Sequence, residues 1–422
     1  MTERGRVLEN HSLLVRDGRI LDLCPSADAA ERYAATVVLQ RPSHLVMPGM
    51  INADTHAALS LFRAMDPDLA PTAWFDARNP CIDERMLGPE FVRDGVLASI
   101  AEMLQSGITC FADRYYFPGE TARAANEQGM RAVIGMPVAE TASLWAKGAA
   151  DYLTKSLALH DEYRGHALIR TAFAPHGSNS VSDATFARIA TLADELDMGI
   201  TIDLHESAAE IAESTARHGM RPMQRLWDLG LLTPALNAVH MGHATAAEIE
   251  LAQRSGIAIT LCPQANLKAG AGLPPARSFT ASGIRLALGS GAAQQNQDIW
   301  SEMKLLALMS HACNADGARL SAWDALAVAT RGGAEVLGLE ARVGSLAAGK
   351  WADLCCVDLG GPATQPMGDP VTQLVFGGGR DLVSDVWVAG RHLLSDGEMT
   401  RLDWAGVAAR ANAWAARLQT GG

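Results

Sequence analysis

Two histidines and three carboxylates fall at points where a repeating strand-and-helix chain brings side chains together. Asp54 and His56 lie in Asn52-Ala53-Asp54-Thr55-His56, directly after the apolar run 45–51. Asp203 and Glu206 sit at the end of segment 199–204, on either side of His205. His240 lies at the end of segment 237–241, and Ser290-Gly291 follow segment 284–289. Asp54, His56, Asp203 and His240 together offer two imidazoles and two carboxylates, a donor set suited to Zn²⁺, Fe²⁺ or Mn²⁺. The same groups also work without a metal. Glu206 and His240 then serve as acid and base, and Asp54 or Asp203 pairs with His56 or His240 to set its tautomer and charge. A third reading leaves Asp54 and Asp203 as remnants of a site no longer in use.

The elements that position these residues follow from periodicity. Short apolar, β-branched segments at 49–52, 108–112, 131–136, 168–174, 199–204, 237–241, 257–261 and 284–289 alternate with helical patterns such as 91–106, 183–196, 245–254 and 300–313. Alternation of this kind predicts a parallel sheet with crossover helices, and eight units predict a closed (β/α)₈ TIM-type barrel of the α/β class. Functional side chains project from the C-terminal strand ends of such a barrel, which is where the residues above fall. Ser182 and Thr245 precede acidic residues, as helix N-caps do. Segment 11–23 reads as a hairpin about Asp17-Gly18. A second β-rich patch spans 352–358, 383–389 and 391–394. Strands from both chain ends are expected to form a small composite β-sandwich, residues 1–47 and 343–400, beside a catalytic barrel at 48–342. An Ala-rich helix at 403–418 fills the terminal segment 401–422.

Composition narrows the partners. With 422 residues, 48% of them hydrophobic, the chain buries a large core. A net charge of −12 and the lack of any Lys/Arg-rich run argue against nucleic acid and anionic membranes. No apolar leader and no run of about 18 apolar residues is visible, so a cytoplasmic protein with a small-molecule substrate is expected. The seven cysteines are odd in number and unpatterned, and read as reduced thiols. Ser290 lacks a Gly-x-Ser-x-Gly elbow, and Gly377-Gly378-Gly379 lacks the Lys-Ser/Thr of a phosphate loop.

Further motifs fall in a telling order: Pro48-Gly49-Met50-Ile51-Asn52, Ala174-Pro175-His176, Leu204-His205-Glu206-Ser207, Val239-His240-Met241, Cys262-Pro263-Gln264-Ala265-Asn266-Leu267-Lys268, the run Gly344 to Leu354, and Asp369-Pro370-Val371. On these, nearly the whole chain resembles the amidohydrolase superfamily, in its methylthioadenosine/S-adenosylhomocysteine deaminase and triazine-hydrolase branch. The resemblance implies one divalent metal, Zn or Fe, held by a His-x-His pair, a strand-5 His and an Asp after strand 8. It also implies a strand-6 His that orients water or substrate and a Glu that shuttles protons. Here Asp54 replaces the first His, His56 is kept, and Asp203 replaces the strand-5 ligand, with His205 beside that position. Glu206 and His240 are kept, while Gly289-Ser290-Gly291 stands where the family has Gly-Thr-Asp. Asp is shorter than His, and two carboxylates make a bound water less acidic, so one metal and none both stay open.

On the substrate side, the resemblance puts His176 and Trp74 at the pocket; a loop cap and a packed lid residue are their plainer readings. His243 either lines the pocket or merely enters the helix near Thr245. Arg114 either contacts an anionic or polar group or forms a structural ion pair across the barrel mouth. The resemblance further implies a homo-oligomer and additional residues ahead of the hairpin. The expected function is hydrolysis of a C–N or C–halogen bond in a purine-like or other N-heterocyclic molecule, with Glu206 as proton shuttle and His240 polarising the scissile centre. The reading from a different class is an inactive paralogue that binds a nucleoside-like ligand or a partner subunit.

Overall fold

A computed structural model of the chain describes residues 5–64, 87–292, 296–312 and 319–420. Trp74 lies outside the described residues.

Eight parallel strands run in sequence order around one sheet: β4 (Met50–Thr55), β5 (Ile108–Arg114), β6 (Arg131–Val138), β7 (Ile169–Pro175), β8 (Gly199–Leu204), β9 (Leu236–His240), β10 (Ala258–Leu261) and β11 (Arg285–Leu288). β4, β5 and β6 are buried along their whole length, as strands covered on both faces must be. The first strand meets the last through a parallel bridge between Thr55 and Gly291, with the Gly291 amide donating to the Asp54 carbonyl at 3.0 Å. Glycine at 289 allows that approach, because a Cβ there would lie 2.7 Å from the Cβ of Asp54. The α/β barrel expected from periodicity is therefore present.

Local signals explain the element ends. Helix Asp183–Leu196 begins at Ser182, whose side chain accepts from the Thr185 amide. Helix Ala246–Ser255 begins with a capping box between Thr245 and Glu248. β9 stops at His240 instead of continuing through Met241, because both residues adopt left-handed φ, 75° and 54°.

The chain ends build two sheets. β3 (His44–Pro48) pairs with β12 (Leu354–Asp358), followed by β13 (Val383–Val388), β14 (Arg391–Ser395) and β15 (Glu398–Met399), all antiparallel. β1 (His11–Arg16) and β2 (Arg19–Pro25) form a hairpin of their own, turning at Asp17 and Gly18 with φ of 53° and 76°. This hairpin is not a strand of the larger sheet. It attaches to the loop ahead of β12 through Ile20 N to Lys350 O at 2.8 Å and Ala352 N to Gly18 O at 2.9 Å. No helix among the described residues is long and apolar enough to cross a membrane.

A buried ion pair joins barrel and small sheet. Arg131, which opens β6, donates Nε to Asp353 Oδ2 at 2.6 Å and Nη2 to Oδ1 at 3.0 Å, and both side chains are almost fully buried. Asp353 Oδ1 also accepts from the Ala389 amide. Removing one partner strands a buried charge, so Asp353→Ala should lose about 3–5 kcal/mol of stability in urea unfolding. Arg131→Met combined with Asp353→Leu should lose clearly less, because no charge is then left unpaired.

Candidate active site

At the mouth of the barrel an arginine lies between two aspartates. Arg114, the last residue of β5, donates Nε to Asp54 Oδ1 at 2.6 Å and Nη2 to Asp54 Oδ2 at 3.3 Å. The same Nη2 donates to Asp203 Oδ1 at 2.5 Å. Asp54 lies on β4 and Asp203 on β8, so one guanidinium ties three strands together. Burial works against its charge, but Asp203 and Asp54 outweigh burial and hold the guanidinium above its ordinary pKa. For Asp203, burial raises the carboxyl, while Arg114 and then His240 pull it well below the usual range. Gly135 on β6 makes room for the arginine stem, since a Cβ there would come within 3.1 Å of Arg114 Cγ. Beneath the pair, a cavity of about 170 Å³ runs among Ala53, Ala112, Val133, Gly135 and Ala172.

Beside the clamp stands an imidazole with two acidic neighbours. His240 Nε2 lies 3.5 Å from Asp203 Oδ1 and 3.8 Å from Glu206 Oε1. Its Nδ1 is 2.7 Å from Asn266 Oδ1, and the Asn266 amide nitrogen faces the Gly272 carbonyl. That orientation makes Asn266 Oδ1 the acceptor, so Nδ1 carries the proton and Nε2 faces the mouth. Partial burial raises the Glu206 carboxyl, His240 opposes this, and the charge of Asp203 adds to it. Glu210 anchors the loop that presents Glu206. It accepts from the Glu206 amide at 2.9 Å and from Ser178 Oγ at 2.6 Å.

The other residues singled out from the sequence fall around this centre. His56 Nδ1 is buried and has no partner among the described residues. Burial, then Arg114, push its imidazole down to about 4. His205, in left-handed backbone at φ 51°, turns away from the mouth; its Nε2 accepts from the Met223 amide at 3.3 Å. His176 is exposed at the end of β7, close enough for its charge to act on His56. His243 sits in the loop after β9, its amide donating to the His205 carbonyl and its own carbonyl accepting from Arg221. Of the two readings of Arg114, the structure contains the ion pair across the mouth.

Asp203, Glu206 and His240 each bring one ligand atom within 4.8 Å of the others, a set that can hold a metal ion. Asp54 and His56 are not part of this cluster. Asp203 Oδ1, nearest to His240 Nε2, already accepts from Arg114. A divalent ion bound through that oxygen would sit within roughly 4–5 Å of the guanidinium, where the two repel by several kcal/mol.

The sequence reading assigned no role to Asn266, Glu210 or Gln297. Gln297 Oε1 accepts from Asn52 Nδ2, Thr55 Oγ1 and Ser290 Oγ at 2.9–3.1 Å, sealing the β4–β11 seam. Asn266 lies within the run Cys262 to Lys268 that follows the predicted seventh strand, and that placement was the available signal. Glu210 stands three residues after the cap Ser207, a spacing that signals a helix start rather than a site.

Residues 45–393 match the amidohydrolase family. The chain belongs to that family. A 5-methylthioadenosine/S-adenosylhomocysteine deaminase of Teredinibacter turnerae is 40% identical over 415 residues, covering 98% of this chain and 94% of the relative. A second deaminase of the same name, from Saccharophagus degradans, is 36% identical over 98% of this chain and 94% of its own length. Among solved structures, an adenosine deaminase from Xanthomonas campestris with bound zinc superposes with a TM-score of 0.96 at 39% identity, over 99% of this chain and 95% of that one. A zinc-bound atrazine chlorohydrolase from Arthrobacter aurescens, at 23% identity and a TM-score of 0.88 over 97% and 96% of the two chains, shares the fold.

The support for Asn266 extends to Glu302. Glu302 accepts from the amide and side chain of Gln264, both at 3.0 Å, and so holds the short helix Pro263–Ala269 that carries Asn266. Burial lifts its carboxyl from 4.5 to about 8. A raised acid pKa means that the folded state keeps a proton which the unfolded chain releases between these values. Stability should therefore fall as pH rises from 5 to 8, by up to about 1.4 kcal/mol per unit from this group. Urea unfolding of Glu302→Gln over the same range should show a shallower decline than the parent; equal slopes would mean that Glu302 is already ionised at pH 5.

Proposed function

We propose that the protein is a hydrolase that replaces an exocyclic amine, or a halide, on a purine-like or other N-heterocyclic ring with water. The observation that carries this reading is the placement of Glu206 and His240 side by side at the barrel mouth, 3.8 Å apart, with Asp203 behind the imidazole. The naming of the 40% identical relative as a deaminase supports the same class of bond.

In this reading the residues divide the proton work. Glu206, with its raised pKa, gives a proton to a ring nitrogen and makes the adjacent carbon electrophilic. His240 Nε2 accepts a proton from the attacking water as the C–O bond forms. Asn266 keeps Nδ1 protonated, so Nε2 remains the basic atom. The C–N bond then breaks, and the amine leaves as ammonia after receiving the proton held by His240. Glu206 recovers its own proton as the product settles into its keto form. In this reading His176 and His243 contact the substrate, and the site is a non-standard one for the family.

The test is turnover of 5′-methylthioadenosine, S-adenosylhomocysteine, adenosine and a chlorinated triazine, read as release of ammonia or chloride. Glu206→Gln should lower kcat on the accepted compound by about 10²–10⁴-fold, with little change in the melting temperature. A wild-type protein that binds adenosine in calorimetry yet turns over none of the panel would replace the enzyme reading with that of a binding paralogue.

A further inference from the structure

We infer that Arg114 is the resident cation of this site, standing in the place and charge-balancing role of a divalent metal, and that it keeps the barrel mouth metal-free. The inference deepens the proposed hydrolase and rests on that reading only for its catalytic consequence; metal exclusion itself is measured without turnover.

Three observations carry it. The guanidinium bonds carboxylates from β4 and β8 at once, so the two acids that would serve as ligands are committed to one cation. Both Asp54 oxygens face Arg114, and the carboxylate is almost fully buried, leaving no open coordination position there. Gly135 leaves room beside the arginine stem, since a Cβ there would lie 3.1 Å from Arg114 Cγ, as well as 3.0 Å from Asp113 O and 3.1 Å from Ala174 Cβ.

The remaining donors do not restore a metal site. His56 lies outside the cluster formed by Asp203, Glu206 and His240. After β11 the chain offers Gly291, where a Cβ would already lie 3.1 Å from Ala265 Cβ and 3.3 Å from Cys262 Cβ. Within the cluster of three, the Asp203 oxygen nearest His240, Oδ1, also accepts from Arg114. The donors present therefore fit a guanidinium and do not fit a dication beside it. With no metal to acidify water, activation of the nucleophile falls on His240, and Glu206 activates the ring it attacks.

The experiment offers Zn²⁺ to the full-length protein. Wild type is stripped with a chelator, incubated with Zn²⁺, freed of excess, and assayed by elemental mass spectrometry. It should keep less than about 0.1 Zn²⁺ per chain, and Zn²⁺ should leave its melting temperature unchanged. Arg114→Ala leaves Asp54 and Asp203 uncompensated. It should take up about one Zn²⁺, with affinity raised at least about a hundredfold and a higher melting temperature in Zn²⁺. Arg114→Lys keeps the charge and should remain metal-free. Arg114→Met, which keeps much of the stem volume, gives the same readout should the alanine variant fold poorly. About one Zn²⁺ in wild type, lost in His240→Ala, overturns the inference. So does an Arg114→Ala or Arg114→Met protein that gains neither Zn²⁺ nor stability from Zn²⁺, because Arg114 would then not be what excludes the ion. Neither result depends on whether any substrate is turned over.

Discussion

The active-site end of this barrel is organised by one requirement: the buried carboxylate of Asp54 and the half-buried one of Asp203 need a positive charge between them. Asp54 and Asp203 face each other from strands on different parts of the barrel, and the guanidinium of Arg114 meets both. An unpaired carboxylate at such a depth costs several kcal/mol. Two without a partner would add mutual repulsion to that cost. A unit positive charge about 4 Å away returns roughly 4 kcal/mol per carboxylate at an effective dielectric near 20. The planar fork of arginine suits the task because it meets two acceptors with fixed geometry, which a lysine ammonium cannot reproduce.

The rest of the mouth brings the clamp and the His240–Glu206 pair together at one oxygen, Asp203 Oδ1. His240 reaches that oxygen from the end of β9, where the backbone turns left-handed. Strain of this kind persists only where surrounding bonds over-determine it. Here Asn266 holds the ring on one side, and the Met241 amide bonds the Leu204 carbonyl on the other. Glu206 is fixed through its own amide by Glu210, and among the described residues its carboxylate has His240 as its charged neighbour, at 3.8 Å. The centre thus has a fixed charged half, Asp54–Arg114–Asp203, and a proton-handling half, His240–Glu206, joined through Asp203.

Much of the scaffold was legible because it depends on local periodicity. The eight strands and the caps at Ser182 and Thr245 follow from side-chain patterns that act within a few residues. The composite sheet was read less well, since strand partnership is a long-range matter. β3 finds β12 some 300 residues later, while the hairpin β1–β2 pairs only with itself. The site was half legible for the same reason. Asp54, Asp203, Glu206 and His240 announce themselves by type and position. That Arg114 bonds both aspartates depends on the pitch of β5 against β4 and on the missing side chain at Gly135, which no pattern along the chain encodes.

The charges at 54, 114 and 203 form a single energetic unit, and that bears on whether the altered site is a remnant. An arginine among neutral imidazole ligands would be repelled by the metal they hold. An aspartate pair lacking both metal and arginine would be left with buried, unbalanced charge. Each of the three residues is therefore destabilising without the others, whereas the full set is neutralised and hydrogen-bonded. A site losing its ligands piecemeal leaves unsatisfied groups behind. Around the clamp, by contrast, Asp54, Asp203, His240 and Glu210 all have partners. His56 Nδ1, His205 Nδ1 and Tyr115 Oη are buried without a partner among the described residues, and none of them belongs to the clamp. The satisfied half lies beside Glu206, next to the groups that handle protons in the proposed reaction.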